Sequence, residues 1–189
     1  LGVDPGPAGQ ASIHLKLAPG EVLSYRNLQL RLRGRHQAHN AALALCVIEL
    51  LAQQGWNVPE SAIRAGLANV SWPARFEVLG QQPLVILDAA HNVASIRVLL
   101  DTIEEQTLAR RRIAVFGCSA DKDVSGMLAE MAGKFDTLIA TTYQGSRRGM
   151  PTEELAALAV QAGCGDVLTA AAPASAWQLA MQLASREDL

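Results

Sequence analysis

The feature that most constrains this fold is a regular alternation of short apolar segments with amphipathic segments in the second half of the chain. The apolar segments are Phe76–Leu79, Leu84–Leu87, Ile113–Phe116, Thr137–Thr142 and Val167–Thr169. Between them, apolar residues recur three and four positions apart, which is the spacing of one helix face. Strands that alternate with helices of this length are joined by crossovers, so the pattern predicts an α/β fold: a Rossmann-like, mostly parallel sheet flanked by helices.

The helices of this half are predicted from the same periodicity. They are Ala94–Leu108, Val124–Lys134, a helix from Thr152 to Gly163, and Ala174–Ser185. Thr152 is expected to cap its helix, with Glu153 and Glu154 in the first turn, where negative charge suits the helix dipole. Leu84–Leu87 is a continuous apolar run of the kind that is buried on both faces of a parallel sheet.

The first part of the chain has a different pattern. Gly2 to Gly9 is rich in Gly and Pro and predicts a linker or frayed end. Alternating residues and a Pro19-Gly20 turn predict short antiparallel strands, which are Ser12–Leu17, Val22–Tyr25 and Leu28–Leu32. A helix ending at Gly55 and a shorter one from Pro59 follow. Because Pro73 disfavours helix at the preceding residue, we place a domain boundary between residues 1–70 and 71–189.

Charge and composition exclude several classes of function. Sixteen Lys and Arg against eighteen Asp and Glu give a net charge of −2, with no basic stripe for nucleic acid or anionic lipid. No apolar run approaches the ~20 residues that span a bilayer. Cys46, Cys118 and Cys164 lack paired metal-ligand spacing, which favours reduced thiols in a cytoplasm.

In an open parallel sheet, ligands bind beyond the carboxyl ends of the strands, so the residues after each apolar run are candidates for a site. Asp88, His91 and Asn92 follow the run that ends at Leu87. A carboxylate there can accept hydrogen bonds from ribose hydroxyls. The alternative is that Asp88 or Asn92 only caps a helix, but three polar residues within five positions favour a site.

Three further polar segments have two readings each. Lys122, in Asp121-Lys122-Asp123, precedes a helix start and can meet an anion, or it belongs to a solvated turn with a local Asp–Lys pair. Arg147-Arg148 can bind a carboxylate or phosphate, although a solvated loop is the simpler interpretation. Arg75 either points into an interdomain cleft or pairs with Glu77.

The segment His36-Gln37-Ala38-His39-Asn40 opens the first long helix. Its side-chain amides can read the edge of a base or cap the helix. A metal site at the two histidines is disfavoured, since no acidic or Cys partner is near. The chain contains neither a G-x-x-x-x-G-K-[ST] phosphate loop nor a G-x-G-x-x-G after a strand, which argues against an ATPase complete in itself.

Four motifs in order resemble one family. They are Gly34-x-His36-Gln37-x-x-Asn40-Ala41-x-x-Ala44, Gly66-Leu67 ahead of Trp72-Pro73-Ala74-Arg75-Phe76-Glu77, Leu87-Asp88-Ala89-Ala90-His91-Asn92, and Gly117 with Asp121-Lys122-Asp123. Together they resemble the C-terminal part of folylpolyglutamate synthase and dihydrofolate synthase, in the Mur ligase superfamily. The family usually has Gly where this chain has Ala74 and Ala89.

The resemblance implies an ATP-dependent ligase that adds glutamate to dihydropteroate or folate through an acyl phosphate. It implies that Gln37 and Asn40 contact adenine, that Arg75 reaches the phosphates and that Asp88 holds the ribose. His91 and Asn92 would lie beside the nucleotide, with His91 and Lys122 as the catalytic candidates.

The resemblance also implies a domain arrangement and a set of ligands. Residues 1–70 would be the tail of a central ATP-binding domain, and residues 71–189 a C-terminal Rossmann-like domain truncated at its end. ATP and Mg²⁺ are the implied cofactors, with the magnesium ligands mostly outside this chain and none assigned within it. The implied partners are ATP, glutamate, the folate substrate and the missing N-terminal half. This chain alone is expected to be inactive. Two alternatives stay open: a fragment of a Mur-type ligase of peptidoglycan precursors, or a nucleotide-binding module without catalysis.

Overall fold

A computed structural model describes residues 1–6, 9–18, 21–107, 109, 111–143, 145 and 147–189. The chain forms two compact units, Leu1–Phe76 and Glu77–Leu189. The division therefore follows Phe76, whereas the sequence predicts it between Val70 and Ser71. None of the helices in the described ranges is long and apolar enough to cross a membrane.

The first unit pairs an antiparallel sheet with two helices. Its strands are β1 (Gly2–Pro5), β2 (Gln10–Ala18) and β3 (Glu21–Gln29), in that order, and its helices are α1 (Arg35–Gln53) and α2 (Glu60–Asn69). Inward-facing residues of β2 and β3 pack against one stripe of each helix because alternate strand residues point to one face. The resulting core is Ile13, Leu15, Tyr25, Leu28, Ala41, Ala42, Leu45 and Ile63.

Two predictions for this unit are wrong. Gly2–Pro5 is not a frayed end, because its backbone pairs with β2 from Gly2 opposite His14 to Pro5 opposite Ala11. Leu28–Leu32 is not a separate strand, because β3 continues without a turn to Gln29. In both cases, pairing with a neighbouring strand overrides the local signal. The predicted turn at Pro19-Gly20 lies outside the described residues.

The helix predictions for this unit are confirmed. The first helix ends before Gly55, which has a φ of 92° and stands just after the C-cap Gln54. Glycine is favoured there because the left-handed region carries no Cβ penalty for it. The second helix begins directly after Pro59, whose fixed φ suits a helix start.

The second unit begins with a hairpin of two strands, β4 (Glu77–Gln81) and β5 (Leu84–Leu87). They pair antiparallel, with Glu77 opposite Leu87. The predicted place of Leu84–Leu87 in a parallel sheet is therefore wrong. Only Gln82 and Pro83 connect the two strands, and a connection this short can join only antiparallel neighbours.

The remainder of the unit is the predicted α/β fold. Its elements are α3 (Val93–Gln106), β6 (Ile113–Phe116), α4 (Val124–Met131), β7 (Thr137–Ala140), α5 (Thr152–Gln161), β8 (Asp166–Thr169) and α6 (Pro173–Leu183). The strands form a parallel sheet in the order β6-β7-β8. All four residues of the central strand are buried, which explains its continuous apolar run.

Several termini in this unit differ from prediction: α4 ends at Met131 rather than Lys134, and β7 ends at Ala140 rather than Thr142. Thr152 does not cap α5: Pro151 occupies the N-cap position, and Thr152 is the first helical residue and is buried. The last helix ends at Leu183 rather than Ser185. Beyond it, the backbone N–H of Leu84 donates to the carbonyl of Asp188 at 3.0 Å, and that of Ile113 donates to Leu189 at 2.6 Å. These bonds connect the hairpin and the sheet of this unit through the same short segment.

Candidate functional site

The first unit contains a cleft of about 490 Å³. It lies beside the start of α1, the end of α2 and the segment that follows α2. Its lining residues are Leu30, Arg31, Leu32, His36, Gln37, Asn40, Ala41, Ala44, Gly66, Leu67, Val70, Trp72 and Arg75. This volume and mixture of apolar walls with a few polar groups are typical of sites for small organic ligands.

The polar edge of the cleft is a chain of hydrogen bonds on the first turn of α1. The amide nitrogen of Gln37 is 2.8 Å from Nε2 of His36. Asn40 donates from Nδ2 to Oε1 of Gln37 at 3.1 Å. The N-cap residue is Gly34, and no side chain caps the helix. The capping interpretation of these residues is therefore wrong, because they bond to one another at the cleft wall.

Arg75 lines the same cleft although it is 35 residues beyond Asn40 in the sequence. It is exposed and lies between two residues with left-handed backbone, Ala74 at a φ of 56° and Phe76 at 46°. Residues with a Cβ rarely adopt this region, so the surrounding structure must impose it. The cleft thus brings together the predicted Gln37, Asn40 and Arg75, with the exposed indole of Trp72 beside them.

The remaining predicted residues lie in the second unit. Asp88 directly follows β5, and its Oδ1 accepts a hydrogen bond from the backbone N–H of Ala90 at 2.8 Å. Asn92 is the N-cap of α3: its side chain accepts from the N–H of Ser95 at 2.8 Å, in a capping box. The capping interpretation is therefore correct for Asn92. Asp88 instead stabilises a local turn by accepting from a backbone N–H two residues later, as Asp often does.

His91 is exposed at this helix start. Its Nδ1 donates to the carbonyl oxygen of Ala89 at 3.0 Å. Because the carbonyl can only accept, this bond places the ring proton on Nδ1 and leaves Nε2 as an acceptor in the neutral ring.

The loop after β6 carries Lys122, which is partly buried. Asp123 caps α4 by accepting from the N–H of Gly126 at 2.9 Å. Asp121 pairs with Arg148 at 2.7 Å rather than with Lys122. The hydrogen bond from Arg148 lowers the pKa of Asp121 below its usual range. Arg148 thus belongs to an ion pair of this loop, and its neighbour Arg147 is exposed.

Two contacts bring the strand exits of this unit to one edge. A Cβ on Gly126 would lie 2.8 Å from the side chain of Val93, so the starts of α3 and α4 are adjacent. The loop after β7 is bonded to the loop after β6, with the N–H of Ala120 donating to Arg148 at 2.8 Å. The start of α3, which follows Asp88, His91 and Asn92, therefore lies beside the start of α4, which follows Lys122.

Some residues of this edge and of the cleft were missed by sequence reasoning. Ser119 and Tyr143 share a hydrogen bond between their hydroxyls, and Oγ1 of Thr141 is buried with no hydrogen-bond partner among the described residues. Tyr143 follows the predicted strand Thr137–Thr142, so the rule that singled out Asp88 also applies to it. Thr141 lies within that predicted strand and follows β7 only because the strand ends at Ala140. Arg31, which lines the cleft, has no such signal, because its place depends on a backbone bond to Leu67.

Neither metal nor thiol chemistry is supported by the described residues. Within those ranges, no group of three or more His, Cys, Asp or Glu side chains can hold a metal ion. The three cysteines are free thiols. Burial raises the pKa of Cys118 to about 11, so that thiol stays protonated at neutral pH.

Comparison with known proteins decides the family. The family model described as "Mur ligase, glutamate ligase domain" matches residues 74–189, which is more than half of the chain. The chain belongs to the Mur ligase family. The family predicted from the four motifs is therefore confirmed, as is the α/β fold of its glutamate ligase domain.

Relatives of this Mur ligase chain include folate enzymes. It is 39% identical over 134 residues to a dihydrofolate synthase/folylpolyglutamate synthase of Mycobacterium tuberculosis, covering 70% of this chain and 27% of that protein. A solved M. tuberculosis folylpolyglutamate synthase complexed with ADP is similar, with a TM-score of 0.77 and 34% identity. That alignment covers 94% of this chain and 41% of the other.

A second similar structure is a bifunctional folylpolyglutamate synthase/dihydrofolate synthase of Yersinia pestis, complexed with AMPPNP and Mn ion. Its TM-score is 0.72 at 31% identity, with 88% of this chain and 37% of the other covered. This Mur ligase chain thus spans about a quarter to two fifths of the length of these relatives.

Proposed function

We propose that this chain is part of an ATP-dependent ligase that adds glutamate to dihydropteroate or folate. In that enzyme, this part closes over ATP and contributes to the binding of glutamate. The observation that carries the proposal is the cleft of the first unit, which gathers Gln37, Asn40 and Arg75. Membership of the Mur ligase family and the folate enzymes among the relatives support the choice of reaction. Its free thiols suit a reducing cytoplasm.

The cleft has the chemistry that a purine nucleotide requires. Its apolar walls, among them Leu67 and Ala44, suit the faces of a flat base, and the amides of Gln37 and Asn40 suit its polar edge. Arg75 supplies a guanidinium fork for the phosphates. In this proposal residues 1–70 are the tail of a central ATP-binding domain, and residues 71–189 are the glutamate ligase domain.

The second unit supplies the other groups. Asp88 accepts hydrogen bonds from the ribose, and Asn92 lies beside the nucleotide while it caps α3. Lys122 neutralises charge on the reacting phosphoryl or carboxylate groups, and Nε2 of His91 accepts a hydrogen bond from a reactant. The adjacency of the starts of α3 and α4, which follow Asn92 and Lys122, supports these roles.

The reaction proceeds in two steps. The substrate carboxylate attacks the γ-phosphorus of ATP, which forms an acyl phosphate and releases ADP. The amino group of glutamate then attacks the acyl carbon, loses a proton and displaces phosphate to leave the amide. Mg²⁺ would neutralise phosphate charge when bound, with its ligands mostly outside this chain.

The first test is calorimetric titration of the chain with ATP and magnesium. We expect binding that weakens about tenfold in Asn40→Ala, since a lost polar contact in a cleft costs ~1–2 kcal/mol. Asp88→Ala should weaken it as well. Asn57→Ala, at an exposed asparagine outside the cleft, is the matched control. Unchanged affinity in Asn40→Ala, or no binding by the folded chain, would contradict the proposed nucleotide site.

A second experiment tests the reaction. The chain replaces the matching region of the M. tuberculosis relative in a hybrid, and ADP release is measured with dihydropteroate and glutamate. We expect glutamate-dependent turnover that falls in His91→Ala and Lys122→Ala. Turnover only with a muramyl-peptide acceptor would identify a peptidoglycan-precursor ligase instead. A folded hybrid that binds ATP but turns over neither acceptor would favour a binding module.

A further inference from the structure

We propose that His36 is a positioning residue that fixes the orientation of the Gln37 and Asn40 amides, so that the cleft selects a 6-amino purine over a 6-oxo purine. The inference rests on the proposed nucleotide site and concerns how that site distinguishes bases. It is carried by the hydrogen-bond chain from His36 through Gln37 to Asn40.

The orientation begins at His36. The amide nitrogen of Gln37 is a donor with no acceptor capacity, so the 2.8 Å contact requires His36 Nε2 to accept. The ring of His36 therefore carries its proton on Nδ1. His36 is partly buried and Gln37 is 7% exposed, so neither group can easily exchange this bond for water.

The orientation of Gln37 then sets that of Asn40. With its nitrogen on His36, Gln37 directs Oε1 to Asn40 and accepts from Asn40 Nδ2 at 3.1 Å. The other branch of the Asn40 amide is Oδ1, an acceptor. Asn40 is exposed at the wall of the cleft, and in this inference its Oδ1 is the atom that a ligand edge meets.

An acceptor at this position distinguishes purines by their substituent at C6. Adenine has an amino group there, which donates, whereas guanine and hypoxanthine have a carbonyl oxygen, which only accepts. A 6-oxo purine would place two acceptors against each other. Reading the base would therefore depend on His36, although His36 need not touch the base.

Without the acceptor on His36, the donor and acceptor directions of the hydrogen bonds through Gln37 and Asn40 can reverse. In His36→Phe the Gln37 amide can turn by half a rotation, and Asn40 can then present its nitrogen to the ligand. In His36→Gln the side-chain carbonyl oxygen offers an acceptor in place of Nε2, so this variant is expected to restore the original orientation. His39→Phe is the matched control, because His39 lies on the same helix but is exposed and does not line the cleft.

The test compares the affinities of ATP and inosine triphosphate, which differ in the 6-amino and 6-oxo groups. We expect the chain and His39→Phe to prefer ATP about tenfold or more, since an unmatched polar pair costs ~1–3 kcal/mol. His36→Phe should reduce that preference to about twofold, and His36→Gln should restore most of it. A general loss of packing would weaken both nucleotides and leave their ratio unchanged. An unchanged ratio in folded His36→Phe would overturn the inference.

A second measurement needs no nucleotide. The ¹⁵N shifts of the His36 ring in the free chain at neutral pH report which nitrogen is protonated. A proton on Nδ1 supports the hydrogen-bond chain, and a proton on Nε2 overturns it. If the chain binds neither nucleotide, the proposed function fails, and the position of this proton still decides whether His36 orients the Gln37 and Asn40 amides.

Discussion

In the first unit, the candidate site consists of side chains on one helix turn and on a connecting segment, whereas in the second it consists of residues that follow strands. Gln37 and Asn40 face the cleft from α1, and Arg75 joins them from a distant part of the chain. Asp88 and Lys122 follow β5 and β6. Strand ends mark the second site in the sequence, and only tertiary packing assembles the first.

The two units also differ in where their apolar side chains are buried. In the second unit, every residue of β7 is buried between helices. In the first, Leu43, Val47 and Leu50 of α1 are each more than half exposed, at the spacing of one helix face. The central strand of the second unit is thus enclosed, although that unit also exposes Leu79 and Val160. The first unit leaves one stripe of α1 uncovered. Substitutions in each unit should therefore change its stability by different amounts.

The largest difference is expected from leucines. Leu138 of β7 is fully buried, so Leu138→Ala should lower the free energy of unfolding of the second unit by about 3 kcal/mol through lost packing and the cavity left behind. Urea unfolding followed by the fluorescence of Trp177, with Trp56 and Trp72 replaced by Phe, measures it. Leu43→Ala in the first unit is the control, followed by the fluorescence of Trp56 with Trp72 and Trp177 replaced by Phe. It should change the stability of that unit by less than about 0.5 kcal/mol. Equal losses would mean that the two faces are equally packed.

The next largest change in stability is expected from a substitution at Gly117. A Cβ there would lie 2.8 Å from the carbonyl oxygen of Thr141, and two backbones cannot separate without disturbing β6 and β7. Gly117→Ala should therefore destabilise the second unit by about 2 kcal/mol, as overpacking does. Thermal unfolding of the variant measures the change. A melting temperature equal to that of the unsubstituted chain would show that the strand exits tolerate a methyl group.

Gly66 should show the opposite sign in the first unit. It lies within α2, and a Cβ there would meet nothing within 4 Å. Gly66→Ala should stabilise the first unit by about 1 kcal/mol, because alanine has the higher helix propensity. Hydrogen exchange of α2 amides compares the variant with the unsubstituted chain. Faster exchange in the variant would contradict this expectation.

The smallest effect concerns one ion pair of the second unit. Arg148→Ala should raise the pKa of Asp121 toward its usual range, because the hydrogen bond from Arg148 is the main cause of its lowering. The sign follows from linkage: a lowered carboxyl pKa stabilises the fold at pH above the unfolded pKa, and this contribution is lost as pH falls through the folded value. NMR titration of the carboxyl measures the shift. Arg147→Ala, next to it in the chain, should leave the pKa of Asp121 unchanged.

Much of the fold was predictable because its elements are specified locally. The strand Ile113–Phe116 has the predicted bounds, and the glycine after α1 stands where the helix pattern ends. The error at Leu84–Leu87 shows where local information fails. An apolar run indicates burial, but its partner strand and direction depend on the connection before it.

The site was predictable in part. The rule of strand ends selected Asp88 and Lys122 as candidates, and it applies equally to Tyr143, which was overlooked. The contacts made by each candidate were not predictable. Asp121 bonds to Arg148, 27 residues away, rather than to the adjacent lysine, because two loops are joined by backbone hydrogen bonds.

The sequence by itself determined the class of fold, the family and the residues that carry the motifs, since periodicity and motif order are properties of the chain. Tertiary structure decided that His36, Gln37 and Asn40 bond to one another rather than cap α1, and that Arg75 reaches the same cleft. The physical reason is that a polar side chain bonds to whichever partner packing brings within about 3 Å, and sequence distance does not fix that partner.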